Sequence, residues 1–184
     1  MEFLYSDYMN HYLLWASGND HPGFVASIAK VLYTLECNLE DSSMMRLGSE
    51  FALFLIFTTS RKISEADFPS TDKKFDLKLG IKKISTKQAR FKLVKATSYI
   101  VRVHGKDRRG IVFSVTDCLA KHAFNISDLS THRTTKGKSP GYILLIEGEL
   151  LNNKHFLKLK KDLKNLSNKL RTHISIEPLS HSSL

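Results

Sequence analysis

The feature that most restricts the fold is an internal repeat. A shift of 87 positions sets HYLLWASGNDHPGFVASIAKVLYTLECNLED (11–41) over SYIVRVHGKDRRGIVFSVTDCLAKHAFNISD (98–128) without a gap. Nine of these 31 positions are identical: Tyr12/Tyr99, Gly18/Gly105, Asp20/Asp107, Gly23/Gly110, Val25/Val112, Ser27/Ser114, Leu32/Leu119, Asn38/Asn125 and Asp41/Asp128. Typical residue frequencies would give about two. The 184-residue chain therefore reads as two copies of one unit of about 85 residues.

Each copy follows one plan. His11 to Ser17 and Tyr99 to His104 are apolar and β-rich and run up to a glycine, as a strand ending in a turn. The loops GNDHPG and GKDRRG follow. Phe24, Ile28, Val31, Leu32 and Leu35, matched by Ile111, Val115, Cys118 and Leu119, then recur at the three-and-four spacing of a helix that buries one face. Asp20 and Asp107 are placed as helix N-caps, with Pro22 tolerated near the first turn. Asn38 and Asn125 open a second strand, and Phe51 to Thr59 and Tyr142 to Glu149 read as a third. In the second copy KGKSPG is a hairpin turn between these strands.

Residues 152–171 carry Phe156, Leu159, Leu163, Leu166 and Leu170 at helical spacing, and His173 to Leu179 reads as a closing strand. The order β-α-β-β-α-β is the ferredoxin-like split motif. The fold class expected is α+β: two tandem ferredoxin-like βαββαβ domains with antiparallel sheets and helices on one face. In the first copy Pro69 predicts a turn near Phe68, a short helix over residues 71–79 with Gly80 as its C-cap, and a last strand from Ile81 to Ser85. The boundaries expected are 1–86 for the first domain, 87–97 for a basic connector and 98–184 for the second. Between Thr86 and Thr97 the chain has neither Pro nor Gly, which predicts an ordered crossing.

Composition excludes several classes. With 42% hydrophobic and 25% charged residues the chain can bury a core without disulfide or metal. Cys37 and Cys118 stand apart from any CxxC or His-spaced pattern, so no metal site or disulfide framework is expected and a reducing, cytoplasmic setting suits them. The longest apolar run, Phe51 to Phe57, is seven residues, so neither a membrane span nor a signal peptide is expected. The absence of a Gly-x-Ser-x-Gly elbow, a HExxH helix and a P-loop argues against an enzyme, and no cofactor is implied.

Charge is divided unevenly. Residues 1–72 hold 4 Lys/Arg against 10 Asp/Glu, a net −6, whereas residues 73–184 hold 24 against 8, a net +16. A basic half can face an anionic partner or form a solvated lysine-rich surface.

The strand, the Gly-x-Asp-x-Pro-Gly loop, the helix and the Asn-Leu/Ile-x-Asp start of the second strand resemble the ACT domain, a small ligand-sensing module of amino-acid metabolism. The resemblance covers about residues 10–179. Two such units without an attached enzyme or DNA-binding domain are similar to the glycine cleavage system transcriptional repressor family. The second copy departs from the pattern at Arg109, which replaces the loop proline.

The loop chemistry fits a free amino acid, whose carboxylate and ammonium lie about one peptide unit apart. N–H groups at a helix start can hold the carboxylate, a dipole contribution of about 0.3–1 kcal/mol besides the hydrogen bonds. Asp20 or Asp107 can meet the ammonium. The candidate site therefore comprises Asn19, Asp20, His21, Pro22 and Gly23 in one loop and Lys106, Asp107, Arg108, Arg109 and Gly110 in the other. The resemblance implies that ligands sit where two units abut, which adds Asn38, Asp41, Asn125 and Asp128 from the adjoining edge. Each residue also has a structural role open to it. The aspartates can cap helices, the glycines can serve turns, and Asn38, Asp41, Asn125 and Asp128 can satisfy local backbone.

The function expected is that of a regulatory protein, not an enzyme. It would sense a small amino acid, with glycine suggested by the resemblance, and act through a protein partner, a DNA-binding regulator. Exposed sheet edges also suggest a homodimer. The alternative is direct nucleic-acid binding by the basic half, with Lys82 to Lys95 and Lys158 to Lys169 on phosphate. The lack of an RNP-like aromatic pattern weighs against that alternative.

Overall fold

In the computed structural model, residues 9–68, 77–89, 97–134, 141–150 and 155–179 are described. The chain divides into two compact units, Met1–Lys92 and Leu93–Leu184. The first contains β1 (Asn10–Asn19), α1 (Phe24–Thr34), β2 (Asn38–Leu47), β3 (Glu50–Thr59), β4 (Lys78–Ile84) and the short α2 (Thr86–Ala89). The second contains β5 (Thr97–Lys106), α3 (Ile111–Ala120), β6 (Phe124–Thr134), β7 (Gly141–Leu150), α4 (Phe156–Leu170) and β8 (His173–Pro178).

Both sheets have four antiparallel strands in the same order, β2-β3-β1-β4 and β6-β7-β5-β8. This is the tandem α+β ferredoxin-like architecture read from the repeat. No described helix is long and apolar enough to cross a membrane.

Periodicity explains each core. On β3, Phe51, Leu53, Leu55 and Phe57 are buried while Phe54 between them is exposed, the period of a sheet with one covered face. Phe24, Ile28 and Leu32 of α1 close over that face with Tyr12, Leu14 and Ala16 of β1. In the second unit Ile111, Val115 and Leu119 of α3 and Leu159 and Leu163 of α4 pack on Val101, Val103, Leu144 and Ile146. Burial of a side chain of this size contributes about 1.5–3 kcal/mol.

Three local expectations are corrected. The first strand does not stop at its glycine: β1 and β5 run through Gly18 and Gly105 to Asn19 and Lys106. A Cβ on Gly105 would approach Thr172 Cγ2 to 2.9 Å, so close packing and not a turn favours glycine there. The helix expected over 71–79 is not what its C-terminal end shows, because Lys78, Leu79 and Gly80 belong to β4. Gly80 is no C-cap. It pairs with Trp15, and a Cβ there would overlap the indole ring.

The rest of that expected helix, 71–76, and most of the KGKSPG turn, 136–140, lie outside the described residues. So do residues 90–96 of the expected connector. Its start forms the Thr86–Ala89 helix, and Thr97 already belongs to β5.

Candidate amino-acid site

The loops leave β1 and β5 beside the turn-proximal ends of their sheets. The Asp20 N–H donates to the Ser49 carbonyl at 2.8 Å, which ties the first loop to the turn between β2 and β3. The His21 carbonyl accepts from the Phe24 N–H at 3.3 Å, and the Gly23 carbonyl accepts the first helical bond, from Ser27 N–H at 2.9 Å. Gly110 repeats this with Ser114 N–H at 2.9 Å. Gly23 and Gly110 are the N-cap residues, with φ of 92° and 87°, in the left-handed region that disfavours any Cβ. No side chain caps either helix, and neither has an acid in its first turn.

Asp20 and Asp107 are therefore not the helix caps expected of them. Each carboxylate turns to an arginine at the end of the second strand. Asp20 Oδ2 lies 3.3 Å from Arg46 Nη1, and Asp107 Oδ2 lies 3.0 Å from Arg133 Nε. Arg46 and Arg133 are themselves related by the 87-residue shift, so the repeat conserves an ion pair as well as a fold. Sequence reasoning missed both arginines because they fall beyond the gap-free window. Extending the same shift by five residues would have found them.

Around this shared pair the loops differ. Asn19, His21, Pro22 and Gly23 are exposed in the first, and Lys106, Arg108, Arg109 and Gly110 are exposed in the second. Each loop thus sets an arginine and a helix start without a side-chain cap near one carboxylate. That combination can meet a carboxylate and an ammonium together. The second loop adds three more cations, which favours ligands with more negative charge.

Asn38 and Asp41 are at the opposite end of the first sheet from the loop. Asn38 pairs through Thr58 with His11, whereas the loop follows Asn19, eight residues further along β1. That separation is about 26 Å. The same register sets Asn125 and Asp128 far from the second loop. Within one unit the structure does not bring the two sets together.

Two of these residues bond to their own surroundings. Asp41 Oδ1 accepts the Ser42 N–H at 2.8 Å, and Asn125 Nδ2 donates to Glu149 Oε2 at 3.0 Å. Both strands carry a bulge here, between Leu39 and Asp41 and between Ile126 and Asp128.

A groove of about 600 Å³ runs instead between α3 and α4. Cys118 and His122 reach it from the α3 side. Their i, i+4 spacing corrects the expectation that Cys118 stands apart from any His-spaced pattern, although no cluster of three metal-ligating side chains occurs among the described residues. His122 is buried, and its Nε2 lies 2.9 Å from Asp162 Oδ2. Burial pushes the Cys118 thiol up, with the Asp162 charge adding to it, and burial likewise pushes up Cys37. Neither sulfur is an activated thiolate.

Comparison with known proteins agrees with this architecture. The ACT domain profile matches residues 10–82 and 97–177. A glycine cleavage system transcriptional repressor of Escherichia coli (strain K12) is 29% identical over 123 residues, 65% of this chain and 63% of that protein. One from Shigella flexneri matches to the same extent. The match thus spans less than two thirds of these relatives' length. A crystal structure of a protein from Galdieria sulphuraria superposes with a TM-score of 0.79 over 93% of this chain and 99% of that one, at 20% identity. A crystal structure described as a candidate glycine cleavage system transcriptional repressor gives 0.71 over 93% and 98%, also at 20% identity. At that identity the superpositions speak for the fold, and the two profile matches settle the family: the chain belongs to the ACT-domain family and carries the domain twice.

Proposed function

We propose that this chain is a non-enzymatic, cytoplasmic regulator that senses a small amino acid and alters its contact with a DNA-binding transcription regulator. The observation that carries the reading is the repeated loop. A left-handed glycine starts a helix without a side-chain cap, near an Asp–Arg pair, Asp20–Arg46 or Asp107–Arg133. A zwitterion has partners for both of its charges there. Glycine as the ligand, and transcription as the process, are supported by the names of the relatives. Asn38, Asp41, Asn125 and Asp128 join such a site only from an adjoining unit. The wholly exposed edge strand β2 supports edge pairing in a homodimer.

A ligand signals only through its differential affinity for two states of the protein. The first test is therefore binding, by thermal melting of the full chain against a panel of amino acids at millimolar concentration. A ligand at 100 times its Kd stabilises the chain by about 2.7 kcal/mol, a readily measured shift. The reading expects a shift with at least one small amino acid, reduced by Asp20→Asn or Asp107→Asn after correction for each variant's own stability. A flat panel, with glycine and serine included, overturns it.

A further inference from the structure

The α3–α4 groove is left unused by the loop site, and its chemistry is specific. Along α4, Lys158, Asp162, Leu166 and Lys169 face it at helical spacing. From Lys158 to Lys169 the groove wall is about 16 Å long, three turns of helix. That length suits a peptide segment better than a single metabolite.

The groove's lining mixes a few apolar side chains, Phe113, Cys118 and Leu166, with polar and charged ones. Phe113 is 73% exposed at its rim, and the half-buried Leu166 stands opposite on α4. The two acids in the groove are already partnered, Asp117 by Lys121 at 2.6 Å and Asp162 by His122 at 2.9 Å. Lys158 and Lys169 make no ion pair among the described residues. What remains for a ligand is the apolar surface of Phe113 and Leu166, with an ammonium that makes no ion pair among the described residues towards each end of the α4 wall.

The first copy has no such surface on α1. The positions 87 residues before Phe113, Asp117, Lys121 and His122 hold Ala26, Lys30, Thr34 and Leu35. These α3 side chains are thus particular to the second copy and not a demand of the shared fold.

We propose that this groove docks an acidic amphipathic helix of the protein partner, apolar side chains over Phe113 and Leu166 and carboxylates on Lys158 and Lys169. The inference rests on the regulatory reading above and locates the partner's surface within it. Helix-in-groove recognition uses this combination of an apolar surface and flanking charge. A nucleic acid fits less well, because its backbone carries a charge at every step, beside Asp117 and Asp162 included, whereas a helix can place its carboxylates at the two lysines alone.

The test titrates the 15N-labelled full chain with an acidic amphipathic peptide of about 15 residues, leucines on one face and glutamates on the other, long enough to fill the groove. The proposal expects saturable shifts confined to α3 and α4. It expects binding weakened about tenfold or more by Lys158→Glu with Lys169→Glu, as for paired interface charges. Phe113→Ser should weaken it too, and a peptide with lysine in place of glutamate should not bind. All three substituted residues are exposed, so melting of the variants should match the parent.

Absent or unsaturable binding, or binding unchanged in these variants, overturns the proposal. So does loss in the lysine variant of polyuridylate RNA binding or of self-association without peptide binding, since that assigns the groove to another occupant. Sensing is read separately: a flat amino-acid panel with peptide binding intact removes the sensor and leaves the docking surface.

Discussion

The two copies share their backbone and diverge in what they present. Tyr12 stacks on Phe57 at 5.5 Å in the first core, and the position matching Phe57 in the second sheet is Gly148. The space is refilled from elsewhere: a Cβ on Gly148 would overlap the Phe124 ring and the Asn125 carbonyl. Phe124 in turn stands where the first copy has Cys37. Large and small residues have changed places at the same spot, and Tyr99 now stacks on Phe156 of α4 at 4.9 Å. Volume is conserved although the residues are not, as close packing requires.

The uncovered sheet faces diverge further. Trp15, Phe54 and Met45 are exposed on the first, where the second has Arg102, Leu145 and His132. Arg102 is paired with Glu177 at 2.6 Å, and His104 meets His173 edge-on. The Asp–Arg pair and the left-handed glycine, by contrast, are held in both. The duplicated fold thus varies its core and faces but keeps a left-handed glycine and an Asp–Arg pair at each loop.

Four substitutions sharpen this comparison. Phe57→Ala should cost about 3–5 kcal/mol by chemical denaturation, because Cys37 is too small to fill the cavity. Adding Cys37→Phe, which imitates the second copy, should recover part of the loss. Gly148→Ala should cost about 1–3 kcal/mol, since the obstructing Asn125 oxygen is backbone. Gly80→Ala meets only the half-exposed Trp15 ring and should cost less.

Gly23→Ala and Gly110→Ala should each cost about 1–2 kcal/mol and to the same extent. Both have φ near 90° with nothing within 4 Å, so the penalty is conformational alone. Arg46→Ala and Arg133→Ala should change stability least, by under about 1 kcal/mol, because both guanidinium groups are mostly exposed, at 68% and 76%. A large loss in one copy only would show that the paired loops are not equivalent.

Much of the fold was legible because it is periodic. The spacing of Phe24, Ile28 and Leu32 and the alternation along Phe51 to Phe57 name their buried faces without reference to the rest of the chain. What sequence reasoning misplaced depends on distant neighbours. Gly80 looks like a helix end until Trp15 is seen lying across it. Asp20 looks like an N-cap until the helix is seen to start at Phe24 with Gly23 as its cap, which leaves the Asp20 carboxylate to Arg46, 26 residues on. The helices α1 and α4 also end without glycine: Glu36 and Arg171 take left-handed φ of 56° and 52° at the turns that follow them, which no turn residue announces. The loop residues were legible as a group, whereas the distance of Asn38 and Asp41 from them emerges only once the strand register is known.

The account turns on whether the loops receive an amino acid. The most direct measurement is a 15N-NMR titration of the full chain with glycine, then serine and alanine. We predict saturable shifts at residues 19–23 or 106–110 and at the partnered Arg46 or Arg133, with the buried core unmoved. No saturable shift with any of the three, or shifts that leave both loops untouched, would contradict the account.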